Sequence, residues 1–422
     1  MQPEGMNMHR LILLSLLCGV VLVGSLLPDE AGAIPAFARR YKISCTVCHE
    51  PFPRLKPYGE EFAGNGFVIP EDEKKRDYVT GGDDLLWLNR TFPIAVRFDA
   101  YGVYESKRTV EQDLQIPWGL KLLSGGALYK NIGYYFYFYM SERGSVAGIE
   151  DAYIHFNDIG GSALDIMVGQ FQTSDPLLKR ELRLTFEDYK LYTTRVGTSR
   201  INLAYDRGLM FTYGIASTRT DLAAFVVNGN GRVAASEDTR KFDQDNNKSV
   251  GCRLLQGIGD AVGIGAFVYY GEETFLSGEL GIGGIEGVPG TENRVTYIGP
   301  DLNFGWGPLA FSGQYLLRED TNPLFQDPAT QADTDGWIFE LIYAPAGDRQ
   351  RHYFTLLYNL VDSDVSYNDF ETLTFAATYL LARNLRLSLE YSRIFTDTAF
   401  DGEEATEVKG ADRVVLGLVS AF

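Results

Sequence analysis

Two hydrophobic patterns divide the chain. Near the N-terminus, Leu11–Leu27 is one mostly apolar run, preceded by Arg10 and followed by Ala31-Gly32-Ala33. A basic residue, a short apolar core and a small-residue A-x-A site make a secretory signal peptide. Residues 1–33 are therefore expected to be removed before Ile34, the run being short for a spanning helix. From Thr91 onward the period changes to two. Ile94, Val96 and Phe98 alternate with Arg97 and Asp99, and Leu114, Ile116, Trp118, Leu120 and Leu122 with Asp113, Gln115, Gly119 and Lys121. Similar segments recur near 132–140, 149–157, 163–171, 208–216, 220–228, 249–257, 261–271, 293–304, 308–318, 336–343, 352–360, 371–381, 384–393 and 411–422. Segments of ~10 residues with one apolar and one polar face are the mark of a transmembrane β-barrel. The predicted fold is thus all-β, an antiparallel barrel of about 16 strands over residues 90–422. A soluble sandwich also alternates, but the long unbroken series, the export signal and a final strand with Val414, Leu416, Leu418 and Phe422 on one face favour the barrel.

One stretch breaks the rhythm. Residues 172–206 are too long and too charged for a hairpin turn, with Asp175, Lys179, Arg180 and Glu181 close together. Such a stretch either folds into the lumen, as the long loop of porins does, or lies on the surface. Composition agrees with the barrel: 25 tyrosines and 45 glycines suit many strands, turns and aromatic girdles. A net charge of −18 argues against a nucleic-acid partner.

Between the two patterns, in residues 34–85, stands the candidate chemistry: Cys45-Thr46-Val47-Cys48-His49. C-x-x-C-H is the attachment signature of a c-type haem, in which both thiols bond one porphyrin and the histidine ligates its iron. The rival reading is a thioredoxin-like redox pair, but no strand-then-helix pattern surrounds it and His49 would be a coincidence. Haem is attached to this motif outside the cytoplasm, so signal and motif support each other. Cys18 falls within the signal, and Cys252, in the apolar run 250–255, reads as a small packing residue. Phe37, Tyr41, Phe52, Leu55, Tyr58 and Phe62 give helix-like apolar spacing around the motif. About fifty residues bury little surface on their own, so the haem segment is expected in or against the lumen, with the barrel as its second wall. Residues 71–77 read as a charged linker.

The run from Ile34 to Phe67 resembles the N-terminus of the outer-membrane fused cytochrome–porins, the group that includes iron-oxidising monohaem cytochromes. The likeness rests on Pro35–Arg39, Cys45–His49, Phe52–Leu55, Gly59–Phe62 and Gly66-Phe67, over about thirty-five residues. It implies one covalent haem c held by Cys45, Cys48 and His49, in a protein of the outer membrane. It further implies electron transfer across that membrane, with extracellular Fe(II) as donor and a periplasmic c-type cytochrome as acceptor. Two alternatives stand beside it: a diffusion porin with a haem plug or sensor, and a conduit running outward to an extracellular acceptor. A second iron ligand opposite His49 would be a histidine or methionine. Alternation sends His155, Met167 and Met210 into the lumen and His352 to the lipid side, so the first three are the distal candidates. The free amine of Ile34 or an open position are the other possibilities, and a lumen-filling role is the plainer fate of any one of these side chains.

Overall fold

In the computed structural model, the structure describes residues 36–69, 83, 85–86, 92–243, 245–276, 287–345, 351–396, 398–401 and 404–422. The predicted signal, Ile34 and the charged stretch 71–77 lie outside these residues.

Sixteen antiparallel strands close into a barrel in which each strand pairs with its neighbours in sequence. The first five are β1 (Ile94–Glu105), β2 (Gln112–Tyr129), β3 (Ile132–Glu142), β4 (Gly148–Phe156) and β5 (Leu164–Phe171). After a long excursion come β6 (Asp206–Ile215), β7 (Thr220–Val227), β8 (Ser249–Ile258), β9 (Val262–Thr274), β10 (Glu292–Trp306) and β11 (Leu309–Asp320). Then follow β12 (Ala332–Tyr343), β13 (His352–Ser363), β14 (Phe370–Ala382) and β15 (Leu385–Ile394). A separate hairpin of β16 (Thr398–Asp401) and β17 (Glu404–Glu407) precedes β18 (Asp412–Ala421). Pairing of β18 with β1, from Arg97↔Ala421 to Glu105↔Arg413, closes the ring and leaves no free edge. The count of sixteen agrees with the alternation of the sequence. Connections are short at one end of the barrel, as at 130–131, 259–261 and 383–384, and long at the other.

The two faces of the wall differ as the pattern requires. Leu254, Val268, Ile298, Leu356, Phe375 and Leu418 project outward, with nothing packed over them. Their neighbours one residue along point inward and are buried. On β13 these are Tyr353, Thr355, Leu357, Asn359 and Val361. Cys252, opposite Ala224 and Val268, sits on the outer face.

The alternation fails around Trp118. It predicts Trp118 on the outer face beside Leu114 and Ile116, but Trp118 is turned inward and only 7% exposed. The register of β2 against β1 jumps from Asp99↔Gly119 to Tyr101↔Gln115, so β2 takes up two extra residues around Pro117. Proline has no amide hydrogen for the ladder, and a bulge there re-aims the side chains that follow. Trp118 consequently packs edge-on against Tyr101, ring centroids 5.6 Å apart, and against Phe186.

The excursion between β5 and β6 resolves the two options for residues 172–206. It fills the lumen. Leu177, Leu178, Tyr189, Leu191, Tyr192, Ile201 and Leu203 pack with Phe225, Phe267, Tyr297, Leu316, Ile338 and Leu357 of β7 to β13. Leu184 joins Ile342, Tyr353 and Leu380 of β12 to β14, and Phe186 joins the cluster on β1 to β3 and β18. The loop therefore meets the wall on every side. Its charges find partners in the loop and on the wall. Nε of Arg180 donates to Asp188 of the same loop at 3.2 Å, Glu187 pairs with Arg413 of β18, and the amides of Phe186 and Glu187 donate to the Glu390 carboxylate of β15 at 2.6 and 3.0 Å.

Candidate functional site

Three short helices carry the motif: α1 (Ala36–Tyr41), α2 (Cys45–Cys48) and α3 (Pro57–Gly64). α2 is a single turn capped by Ser44, whose hydroxyl accepts the amide of Thr46 at 3.4 Å. One turn sets Cys45 and Cys48 on the same side. His49 ends the turn, its amide donating to the carbonyl of Cys45 at 2.9 Å, and its backbone becomes extended. The chain then folds back. Lys56 N donates to the Cys48 carbonyl at 2.8 Å, and Arg54 N to that of Pro51 at 2.7 Å. This fold-back brings the Pro53 carbonyl within 2.7 Å of His49 Nδ1. With Nδ1–H donated to Pro53, the lone pair lies on Nε2, the arrangement of a metal-ligating histidine. Burial lowers the His49 pKa, which keeps the imidazole neutral. Gly59 makes the helix packing possible, since a side chain there would run into the Cys48 carbonyl.

Burial pushes the thiols of Cys45 and Cys48 up, so both are protonated at neutral pH. A catalytic dithiol needs the opposite, a thiol pKa lowered by nearby positive charge or a helix end. The environment therefore does not suit a thioredoxin-like pair.

The segment is seated inside the barrel, near the end with short connections. Phe37 stacks on Phe67 at 5.0 Å, and Phe67 on Tyr135 of β3 at 4.7 Å. Asn157 Nδ2 donates to the carbonyl of Asn65 at 2.6 Å, and the Tyr353 hydroxyl to that of Phe52 at 2.6 Å. Gly66, in the left-handed region at φ +65, lies against Gly133, where any side chain would strike the Gly66 carbonyl. Arg54 reaches Glu340 at 3.4 Å, and Glu340 also accepts the Tyr189 hydroxyl at 2.8 Å. Lys179 of the inserted loop pairs with Glu60 at 2.6 Å. The N-terminal segment and the loop thus touch in the middle of the lumen.

Between them lies a cavity of about 1030 Å³, at the upper end of the ~300–1,000 Å³ usual for ligand and cofactor sites. Cys45, Cys48 and His49 line it, and so do His155, Met167 and Met210 from the wall. The three distal candidates share one cross-strand row, His155↔Met167↔Met210 on β4, β5 and β6. His352 and Met140 face outward, at the exposed side of the wall. Phe37, Phe52, Leu55 and Phe62 line the cavity as their spacing suggests, whereas Tyr41 does not, its hydroxyl donating to the Phe67 carbonyl at 3.2 Å, and Tyr58 is 43% exposed and turned away from it. α3 presents Gly59 and Phe62 inward, which puts Tyr58 on the opposite side of that helix. Sequence patterns alone do not reveal the Pro53 carbonyl, the Gly66–Gly133 contact or the Arg54–Tyr189–Glu340 cluster. Each joins residues far apart in the chain or uses backbone atoms.

The group that C-x-x-C-H implies is a c-type haem, and the residues present fit it. Two thiols on one turn, a histidine with its second nitrogen already committed, and an apolar aromatic lining all meet at one cavity large enough for a macrocycle.

Comparison with solved structures places the barrel. OmpT of Vibrio cholerae, in its trimer form, superposes with a TM-score of 0.54 at 12% identity, over 79% of this chain and 99% of that one. An anion-selective porin from Comamonas acidovorans gives 0.54 at 11% identity, over 79% and 99%. The outer-membrane channel DcaP of Acinetobacter baumannii gives 0.52 at 14%, over 78% and 97%. The fold is that of the outer-membrane porins. No family model matches the chain, and no curated protein does. Porin-type barrels keep their short turns on the periplasmic side.

Proposed function

We propose that this protein is an outer-membrane barrel that holds a c-type haem in its lumen and conducts electrons across the membrane. The observation that carries the reading is the convergence of Cys45, Cys48 and His49 on a cavity enclosed by the barrel wall and the inserted loop. When bound, the haem supplies a centre that cycles between two oxidation states. The chain's residues do the rest. Cys45 and Cys48 anchor the group, and His49, oriented by Pro53, offers Nε2 to the iron. Arg54, Asn65 and Gly66 hold the segment against the wall, and the inserted loop keeps bulk water from crossing. The insulating hydrocarbon layer is ~30 Å thick, so a centre seated inside it shortens the distance from either side. In keeping with the family resemblance, the donor is extracellular Fe(II) and the acceptor a periplasmic c-type cytochrome meeting the short-turn mouth.

The second reading, a diffusion porin with a haem plug, draws on the fold likeness, since the similar solved structures include porins and a channel. The lumen weighs against it. Leu177, Tyr192, Leu203 and their partners pack the inserted loop as an apolar core inside the barrel, which narrows the lumen.

One preparation tests both readings. The oxidised holoprotein in detergent is mixed with Fe(II) and the haem absorbance followed, and the same protein is placed in a planar bilayer. Reduction by Fe(II) with little conductance is expected. A haem that Fe(II) leaves oxidised, in a barrel of porin-like conductance, overturns the conduit.

A further inference from the structure

We infer that His155 is the second axial ligand of the iron, a reading that rests on the haem assignment above and makes it specific. The wall offers three candidates in one row, and packing separates them. Met210 is 3% exposed and belongs to the apolar core built around the inserted loop, where it packs with Phe225 and its neighbours. Met167 packs against the same core. Both sulfurs therefore have an apolar role that needs no iron. His155 has none. It is 4% exposed, and its Nδ1 is buried without a hydrogen-bond partner. Leaving such a nitrogen unpaired costs roughly 1–3 kcal/mol, and native interiors seldom keep one without a reason. Of the four histidines, His49 is the motif ligand, His352 faces outward, and His9 lies outside the described residues. His155 is thus the one described histidine besides His49 that lines the cavity.

The docking contacts bring the two histidines' supports together. The end of α3 is pinned to β3 and β4 by Asn157 on the Asn65 carbonyl and by the close approach of Gly66 to Gly133. A Cβ on Gly66 would stand 3.3 Å from Cβ of His155. The strand that carries His155 is therefore one on which the motif segment is clamped, and His155 lines the same cavity as His49. The Tyr153 ring stands edge-on to that of His155, centroids 6.3 Å apart, and limits its swing. Two neutral imidazoles on opposite faces would make a six-coordinate, low-spin iron and exclude water or small ligands from it.

The test uses the full-length holoprotein in detergent. Covalent haem is first scored by haemochrome absorbance and by haem stain after denaturing electrophoresis. The spin state and axial ligands are then read by electron paramagnetic resonance and near-infrared circular dichroism. The wild type is expected to be low-spin with a bis-histidine signature. His155→Ala should keep its covalent haem yet turn high-spin, and added imidazole should restore the low-spin form. His155→Met should give a histidine–methionine signature and a higher potential, and serves the same purpose if the alanine variant does not assemble. Met167→Leu and Met210→Leu should leave the ligand signature unchanged. A high-spin wild type, a histidine–methionine signature in it, or a spectrum that His155→Ala does not alter overturns the assignment while leaving the haem reading intact. A wild type without covalent haem overturns both.

Discussion

Two bodies share the lumen, and they are held there by different means. The loop 172–205 is part of the barrel's own interior. Its aromatic and aliphatic residues are buried among residues from most of the strands, and Tyr189, Tyr192 and Leu203 have no exposed surface. The segment 36–69 is a docked insert. It has its own small aromatic core, with Phe37, Phe62 and Phe67 in mutual contact, and meets the wall through separate contacts. Among these are one stacked ring, two carbonyls capped by wall side chains and an ion pair at Arg54, while Glu60 pairs with Lys179 of the loop. On the proposed reading, the difference is a way for a porin-type barrel to gain a cofactor. The loop gives the lumen a floor, and the insert needs only enough specific contacts to rest on it in one orientation.

The sharpest way to break this comparison is chemical. If the segment is an insert, Cys48→Ala should abolish essentially all covalent haem while the barrel still assembles, as haem stain and heat-dependent gel mobility would show. Loss of the barrel together with the haem would mean the two bodies are one folding unit. Next in size, Leu203→Ala should cost about 2–5 kcal/mol, the range for a large-to-small change in a packed interior. It should lower the unfolding midpoint of the whole barrel, and an unchanged midpoint would show that the loop is not core. Arg54→Ala should cost less, about 1–3 kcal/mol, because it leaves the buried Glu340 carboxylate without its cation while one end of the pair stays partly exposed. Proteolysis should then release the insert before the barrel unfolds, and Glu340→Gln in the same chain should recover much of the loss.

The smallest effect is one of pH. Burial, helped by Glu181 and Glu60 and opposed by Lys179, pushes the Asp175 carboxyl up to about 6. The folded state then binds this proton more tightly than the unfolded chain, whose carboxyl titrates near ~3.9. The contribution of Asp175 to stability is complete below that value, falls as pH rises towards about 6, and is flat beyond it. Asp175→Asn should remove that slope from the thermal unfolding midpoint between mild acid and neutrality. A wild type and variant with parallel pH profiles would place Asp175 in contact with water.

Much of this was legible in the residues themselves. The barrel follows from period two, because each strand has one face against lipid and one against the lumen. Alternation put His155, Met167 and Met210 on the inner face where they stand. Trp118 was misplaced because a bulge at Pro117 shifts the phase, and a shift of register leaves no mark in polarity. The loop 172–205 could be read either way because its charges suit water as well as they suit Glu390 and the wall cations. Only tertiary pairing decides between the two. The grip of Pro53 on His49 is a backbone contact, invisible to any pattern of side chains.

The apolar core across the lumen also bears on the economy of the cell. An ordinary porin couples abundance to leakiness, since each added copy opens another water-filled path for solutes. On the conduit reading proposed above, a barrel whose lumen holds the packed core of Leu177, Tyr192, Leu203 and their partners breaks that link. A cell could then crowd its surface with such ports and keep the outer membrane a sieve.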